Sequence, residues 1–264
     1  MSLENLAPSP RRPMAEANWK MAMTVAESLA FLQEFRSLAA GDLEKVDVLL
    51  CPPYTAIWPM AQALQGTPVQ LGAQNLAAAD DPAHTGQISA GLAFEAGCRW
   101  AVMGHWEVRR DLGDDDACLN RKVHLALSAG LRPLLMIGER RSHASAQLDE
   151  TAAQLAGILK NCTTEQVVRM AFIYEPVWAI GAAEPAGPEH AARGCAAIRS
   201  WLASHYDPGV AGMVRILYGG SVSPAHAPAL LASADIDGLG TGRQGRLAAG
   251  FAAIVRLVAG AKAG

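Results

Sequence analysis

The chain has 264 residues, of which 51% are hydrophobic and 18% are charged, and its formal net charge is −3. This length fits one large α/β domain or two small ones, and the composition excludes a globally disordered chain. The absence of a basic block argues against nucleic acid as a partner, and the absence of an apolar run of roughly 20 residues argues against a membrane span.

The chain opens with a segment rich in proline and arginine. This segment contains Pro8, Pro10, Arg11 and Arg12, and it lacks the long apolar core of a signal peptide. We therefore expect residues 1–13 to form a flexible N-terminal lead and residues 14–264 to form one domain.

Eight short apolar runs follow the lead, and each has the length and composition of a buried strand. The predicted strands are Ala15–Trp19, Val46–Cys51, Val69–Gly72, Trp100–Met103, Leu134–Ile137, Met170–Tyr174, Val214–Tyr218 and Ile236–Gly240.

Longer stretches with a helical period separate these runs. The predicted helices include Val25–Ala39, Asp115–Ala129, Ala144–Lys160, Pro188–His205 and Leu247–Ala261. Strands that alternate with helices, without a linker, are typical of a closed parallel (β/α)8 barrel, which typically takes about 250 residues. A doubly wound open sheet is the structural alternative, but no GxGxxG sequence follows any predicted strand.

The cysteine content bears on the compartment. Five cysteines are present, an odd number, and they form neither a CxxC pair nor a zinc-binding spacing. This pattern favours a reduced, cytoplasmic chain without a structural metal.

An acidic residue stands at the end of the sixth predicted strand. Glu175 follows the apolar run that ends at Tyr174, and it precedes a loop bounded by Pro176 and Gly181. Barrel enzymes keep their catalytic groups at the carboxyl ends of strands, so this position predicts a catalytic role for Glu175.

Two further polar residues stand at strand ends. Lys20 follows Asn18 and Trp19 at the end of the first strand, and His105 follows the fourth. Each residue alone is more often structural or solvated. Because the carboxyl ends of barrel strands converge on one mouth, their shared position predicts a common site with Glu175.

Two glycine clusters predict an anion pocket. Tyr218–Ser221 follows the seventh strand, and Gly238–Gly242 begins in the eighth. Barrels often bind phosphate with the loops after these two strands, because glycine lets backbone N–H groups approach the oxygens closely. Ordinary tight turns are the alternative for each cluster taken alone.

These segments resemble those of the triosephosphate isomerase family, in order and at family-like spacing, from about Glu16 to Val258. The matching segments are Asn18–Met21, Gly72–Asn75, Thr85–Ser89, Gly104–His105, Ile137–Glu139, Tyr174–Gly181 and Tyr218–Ser221. The resemblance implies a single-domain TIM barrel and a cofactor-independent isomerase that acts in glycolysis and gluconeogenesis.

The resemblance also implies roles for the residues at the strand ends. Glu175 corresponds to the general base that moves a proton between adjacent carbons, and His105 to the neutral group that polarises the carbonyl. Lys20 supplies positive charge to the enediolate and phosphate, and Asn18 supplies a hydrogen bond to a substrate oxygen. Glu107 matches a carboxylate beside the family's active site, with either a supporting or a structural role.

The phosphate site and its lid follow from the same resemblance. Backbone N–H groups of Gly181, Ser221 and Gly242 are expected to grip the phosphate. The segment Pro176–Ala186 resembles the closing loop that triosephosphate isomerase uses to exclude water.

Several positions depart from the family pattern. Trp106 stands where the family usually has a small serine, which resembles a resting partner for the base. The larger indole cannot take that role in the same way, so we expect it either to reshape the pocket or to rest against a different surface. Pro185 fixes φ within the lid, which predicts altered hinge motion. Arg243 replaces a phosphate-binding glycine, so a positive φ there is expected to be costly, and its guanidinium meets either an anion or a surface ion pair. Met136 replaces a cysteine and is interpreted as a packing change.

The subunit interface is expected to differ in charge. Gln87 and Val108 stand where the family commonly has a glutamate and an arginine in an intersubunit ion pair. Losing both avoids one unpaired buried charge. We therefore expect a homodimer, formed through the third loop around Thr85, with a more neutral interface.

The predicted activity is the interconversion of glyceraldehyde 3-phosphate and dihydroxyacetone phosphate through an enediolate. The Gly242-Arg243 pair and Pro185 resemble a bacterial subgroup that isomerises four-carbon erythrulose phosphates, which is the first alternative. A barrel that binds a phosphorylated metabolite but turns it over weakly is the second, and it is motivated by Trp106 and Arg243.

Overall fold

The computed structural model describes residues 11–140, 144–182 and 186–262. Eight parallel strands form a closed barrel in which each strand pairs with its neighbours in chain order and β1 pairs with β8. The strands are β1 (Met14–Asn18), β2 (Asp47–Cys51), β3 (Gln70–Ala73), β4 (Trp100–Met103), β5 (Arg132–Ile137), β6 (Ala171–Tyr174), β7 (Arg215–Tyr218) and β8 (Gly238–Thr241).

Helices surround the barrel on its outer side. They are α1 (Val25–Ala39), α2 (Tyr54–Ala63), α3 (Ala90–Glu95), α4 (Trp106–Leu112), α5 (Asp116–Ser128), α6 (Ala144–Ile158), α7 (Thr164–Val167), α8 (Pro188–His205), α9 (Pro208–Met213), α10 (Ala227–Leu231) and α11 (Ala248–Lys262). Short 3-10 helices span Val177–Ala179 and Gln244–Arg246. None of the helices in the described ranges is long and apolar enough to cross a membrane.

The predicted barrel is confirmed, and so is every predicted strand. The boundaries agree within two residues, and those of β4 are identical. The largest extension is in β5, which begins at Arg132 rather than Leu134 because Arg132 and Pro133 already pair with Trp100 and Ala101 of β4.

Two apolar layers explain why the strands read as continuous apolar runs, since residues on both faces are buried. The outer layer lies between strands and helices, where Trp19 packs edge-to-face on Phe31 and Phe35 stacks on Phe251. The inner layer fills the barrel with Met14, Leu49, Cys51, Trp100, Val102, Leu134, Met136, Ala171, Ile173 and Leu217.

Two ion pairs lie at the end of the barrel where the strands begin. Arg11 Nε lies 2.7 Å from Asp237 Oδ1, and Arg12 Nε lies 2.7 Å from Asp47 Oδ1. These contacts involve the last residues of the predicted N-terminal lead, whereas residues 1–10 lie outside the described part. The polar site described next is at the other end, where the strands finish.

Candidate active site

A cavity of about 530 Å³ opens at the carboxyl ends of the strands. It is lined by side chains or backbone from the loops after β1, β4, β6, β7 and β8. All eight residues that the sequence predicted for the site line this cavity, namely Asn18, Lys20, His105, Glu175, Gly181, Ser221, Gly242 and Arg243.

His105 is held in one tautomer by the start of α4. The backbone N–H of Glu107 donates to His105 Nδ1 at 3.1 Å, so Nδ1 is an acceptor and the ring proton lies on Nε2. Nε2 lies 3.7 Å from Glu175 Oε2. Burial lowers the pKa of His105, although the charge of Glu175 opposes this effect. The geometry therefore presents a neutral imidazole N–H beside a carboxylate.

Glu175 is the first residue after β6, and its backbone is fixed by neighbouring strands. Its N–H donates to Ile137 O at 2.8 Å. Gly138 packs against its carbonyl so closely that a Cβ there would lie 2.1 Å from Glu175 O. The side chain is 12% exposed, so the carboxylate reaches the cavity from a largely buried position.

Lys20 is held by a strained backbone. It has a φ of 53°, in the left-handed region that few non-glycine residues adopt. Its N–H donates to Asn18 Oδ1 at 2.9 Å, and Gln74 Nε2 donates to its carbonyl at 2.9 Å. Its Nζ lies 2.7 Å from Glu107 Oε1, so the ammonium group stands at the cavity beside a carboxylate. Backbone strain of this kind is concentrated at functional sites.

The described residues of the predicted lid segment, 176–182 and 186, are attached to their surroundings by several hydrogen bonds. Trp178 Nε1 donates to Glu139 Oε1 at 2.9 Å, and Ser221 Oγ donates to Ala179 O at 3.2 Å. Ala186 N–H donates to Tyr218 OH at 2.8 Å. The predicted effect of Pro185 on hinge motion lies outside the described residues.

The structure decides one expectation about the backbone of Arg243. Arg243 has a φ of −58° and initiates the 3-10 helix Gln244–Arg246, so the strain expected from a positive φ does not arise. Its Nη2 donates to Ala182 O at 3.1 Å. The Arg243 guanidinium therefore contacts the segment that the sequence predicts as a lid. Gly181 has a φ of 73°, a conformation that glycine adopts without strain.

Trp106 and Met136 line the same cavity as Glu175. The Trp106 ring lies beneath the Arg110 guanidinium, at 4.1 Å from the ring centroid. Its buried Nε1 has no hydrogen-bond partner within the described ranges. The indole thus forms a wall of the cavity, and Met136 belongs to the inner apolar layer.

Sequence reasoning missed Glu16 at the cavity floor. Glu16 lines the cavity, and it is directly paired with Gly240 of β8, which belongs to the second predicted glycine cluster. Glu16 is only 1% exposed and lies within an otherwise apolar strand. A charged residue in phase with the inward-facing Met14 and Asn18 was the signal that could have identified it.

The comparisons with known proteins agree with this geometry. A family profile described as Triosephosphate isomerase matches residues 13–258. A triosephosphate isomerase of Symbiobacterium thermophilum is 40% identical over 96% of this chain and 99% of its own length. One of Herpetosiphon aurantiacus is 42% identical over 93% of this chain and 99% of its own.

Solved structures give the same result. The crystal structure of a triosephosphate isomerase from Bartonella henselae superimposes with a TM-score of 0.82 at 33% identity. The match covers 93% of this chain and 98% of that one.

Proposed function

Because the chain belongs to the triosephosphate isomerase family, we propose that it interconverts glyceraldehyde 3-phosphate and dihydroxyacetone phosphate. The observation that carries the proposal is the pairing of Glu175 Oε2 with His105 Nε2 at 3.7 Å across one cavity, beside Lys20. This arrangement supplies a base, a neutral hydrogen-bond donor and a positive charge, which are the groups that an aldose–ketose isomerisation needs.

In the proposed mechanism, Glu175 removes a proton from the carbon next to the substrate carbonyl. Negative charge then develops on the carbonyl oxygen, where His105 Nε2–H donates a hydrogen bond and the Lys20 ammonium group adds positive charge. Asn18 hydrogen-bonds a substrate oxygen. Glu175 returns the proton to the adjacent carbon, while His105 moves a proton between the two oxygens. Each proton that is removed in these steps is returned to the substrate, so the isomerisation needs no cofactor.

The phosphate is held by local donors, since the chain as a whole carries a net charge of −3. We assign this role to the backbone N–H groups of Gly181, Ser221 and Gly242, assisted by the Arg243 guanidinium at the lid. The hydrogen bond between Arg243 and Ala182 supports this assignment, because it places the guanidinium where the lid meets the cavity.

The proposal includes a homodimer in the cytoplasm. The third loop around Thr85 is exposed from Asp81 to Gln87, which supports its use as a projecting contact with a second copy. Free thiols are found at all five cysteines, which supports a reducing compartment. These are Cys51, Cys98, Cys118, Cys162 and Cys195.

A turnover assay with Glu175→Gln tests the function. The variant keeps the size of the side chain but lacks a base, so turnover of the triose phosphates should fall by on the order of hundreds-fold or more. Glu189→Gln makes the same chemical change at an exposed position in the first turn of α8, and it should leave turnover unchanged. Undiminished turnover in Glu175→Gln would remove Glu175 from the base role.

A four-carbon erythrulose phosphate is the second candidate substrate. The observation that favours it is the Gly242-Arg243 pair, which lines the cavity together with Trp106. The assay therefore has a second arm with L-erythrulose 1-phosphate. A preference for the tetrose would establish the alternative specificity, and silence of the folded protein in both arms would favour a metabolite-binding barrel.

A further inference from the structure

A second carboxyl group lies in the floor of the cavity. Glu16 is on β1, in the same inward phase as Met14 below it and Asn18 above it. It is 1% exposed, yet it lines the same cavity as Glu175. The proposed mechanism assigns no role to this residue.

The surroundings of Glu16 do not compensate a negative charge. Its Oε1 has no hydrogen-bond partner within the described ranges, and the nearby Lys20 ammonium group is paired with Glu107 at 2.7 Å. The thiol of Cys51 and the backbone of Thr241 favour the ionised form, but burial outweighs them and keeps the pKa of Glu16 raised. An ionised carboxylate in such a place is costly, so a buried acid of this kind binds a proton instead.

The groups that face Glu16 act on its pKa in opposite directions, and those that raise the pKa prevail. Burial, together with the charge of Glu175 after β6, raises the pKa of Glu16 to about 8. Cys51 on β2, the backbone of Thr241 on β8 and Lys20 after β1 offset the rise only in part. The other ionisable side chains that line the cavity are His105, Glu107, His226, Arg243 and Arg246.

The missing side chain of Gly240 gives this acid its place beneath the reacting end of the cavity. A Cβ at Gly240 would lie 3.1 Å from Glu16 Oε2 and 3.0 Å from Ile173 Cδ1. The carboxyl group of Glu16 therefore fills the space next to Gly240. Ile173, in β6, faces the barrel interior, and Glu175 stands two residues later, just after the strand. Because Glu16 Oε2 and Ile173 both adjoin Gly240, we infer that Glu16 lies beneath Glu175.

We propose that Glu16 is a positioning residue that keeps a protonated, neutral carboxyl group beneath Glu175 in the working enzyme. When this proton is lost to solvent, a second negative charge lies under Glu175 and under the developing enediolate. Both the approach of the anionic substrate and the charge of the intermediate are then opposed. Ionisation of Glu16 thereby switches the isomerase off on the alkaline side, an inference that rests on the proposed function.

The pH profile of kcat/KM tests this role. Glu16→Gln is permanently neutral and similar in size, so its activity at pH 7 should stay within about threefold of the wild type. The wild type should lose at least about tenfold as pH rises through the ionisation of Glu16, and the variant should not, because no new charge appears. Superimposable profiles for the two proteins would overturn the proposal. If Glu16 had only a structural role, Glu16→Gln would lower stability and would leave the alkaline limb of the kcat/KM profile unchanged.

A second measurement uses neither turnover nor the Glu16→Gln variant. Isotope-edited NMR of glutamate carboxyl carbons in the wild type should find Glu16 protonated at pH 7 and losing its proton near pH 8. In Glu175→Gln, which lacks the neighbouring charge, the same signal should titrate at lower pH. Titration of Glu16 near its ordinary value of 4.5 would overturn the proposal. Absence of isomerase activity at every pH, with Glu16 titrating as expected, would instead reject the proposed function.

Discussion

The backbone N–H of Ala186 donates a hydrogen bond to the hydroxyl of Tyr218 at 2.8 Å. This contact joins the far end of the lid segment to the end of β7, next to the loop that carries Ser221. Tyr218 is fully buried, so removing its hydroxyl leaves the Ala186 N–H without this partner. The attachment of this end of the predicted lid therefore depends on this tyrosine.

The variant Tyr218→Phe should weaken lid docking while keeping the aromatic core. One net hydrogen bond is worth roughly 1 kcal/mol, so we expect kcat/KM to fall by about three- to tenfold. Binding of an enediolate mimic should weaken by a similar factor. Tyr206→Phe removes a hydroxyl that donates to Leu159 O at 3.4 Å, away from the cavity, and should leave both quantities unchanged. Equal effects of the two substitutions would contradict a lid-specific role.

The free energy of unfolding should depend on pH because the pKa of Glu16 is raised in the folded state. Its pKa is raised from 4.5 to about 8 in the folded state, so between these values the folded protein holds more protons than the unfolded chain. The stabilisation is fully present below pH 4.5 and is lost as pH rises through 8. Each pH unit in this window costs about 1.4 kcal/mol at most.

Urea unfolding across this pH range measures the effect, with Glu16→Gln as the comparison. The free energy of unfolding of the wild type should decline relative to the variant as pH rises through the window, by on the order of a few kcal/mol in total. Below the window the two proteins should differ little, since both side chains are neutral there. A constant difference across this pH range would show that Glu16 loses its proton near its ordinary pKa of 4.5 in the folded state, and it would contradict the prediction.

The orientation of the base should depend on Gly138. In Gly138→Ala the new Cβ would lie 2.1 Å from Glu175 O, so the end of β5 or of β6 must shift. A displacement of about 1 Å at a catalytic group costs on the order of a hundredfold in rate, and overpacking destabilises the fold by about 1–3 kcal/mol. Gly212→Ala, in α9, meets nothing within 4 Å and is the matched control. Crystal structures and kcat of both variants check the prediction; full activity of Gly138→Ala would contradict it.

The sequence predicted the barrel and most of the cavity because both depend on local pattern. Strands buried on two faces are continuous apolar runs, and polar residues such as Lys20, His105 and Glu175 stand where those runs end. Glu16 escaped this reasoning because it lies inside a strand and its space is created by Gly240, 224 residues away and paired only through the closed barrel. Backbone angles are likewise set by the fold, which is why the φ of Arg243 was not available from sequence.

The last prediction concerns the surface on which the proposed dimer depends. Met21 is fully exposed, directly after Lys20, whose carbonyl accepts a hydrogen bond from Gln74 at the base of the third loop. An exposed methionine beside a projecting loop fits an apolar contact with a second copy. With Gln87 and Val108 in place of an ion pair, that contact should hold little charge.

Met21→Glu should therefore shift the protein from dimer to monomer, because a carboxylate is costly in a dehydrated interface. Leu148→Glu makes the same kind of change on the exposed face of α6, at a residue 56% exposed, and should leave the dimer intact. Sedimentation equilibrium measures both variants. For the wild type, raising the salt concentration should change dimer dissociation little, since screening acts on charges that this interface lacks. A monomeric wild type, or a dimer that dissociates strongly in salt, would contradict the proposed interface.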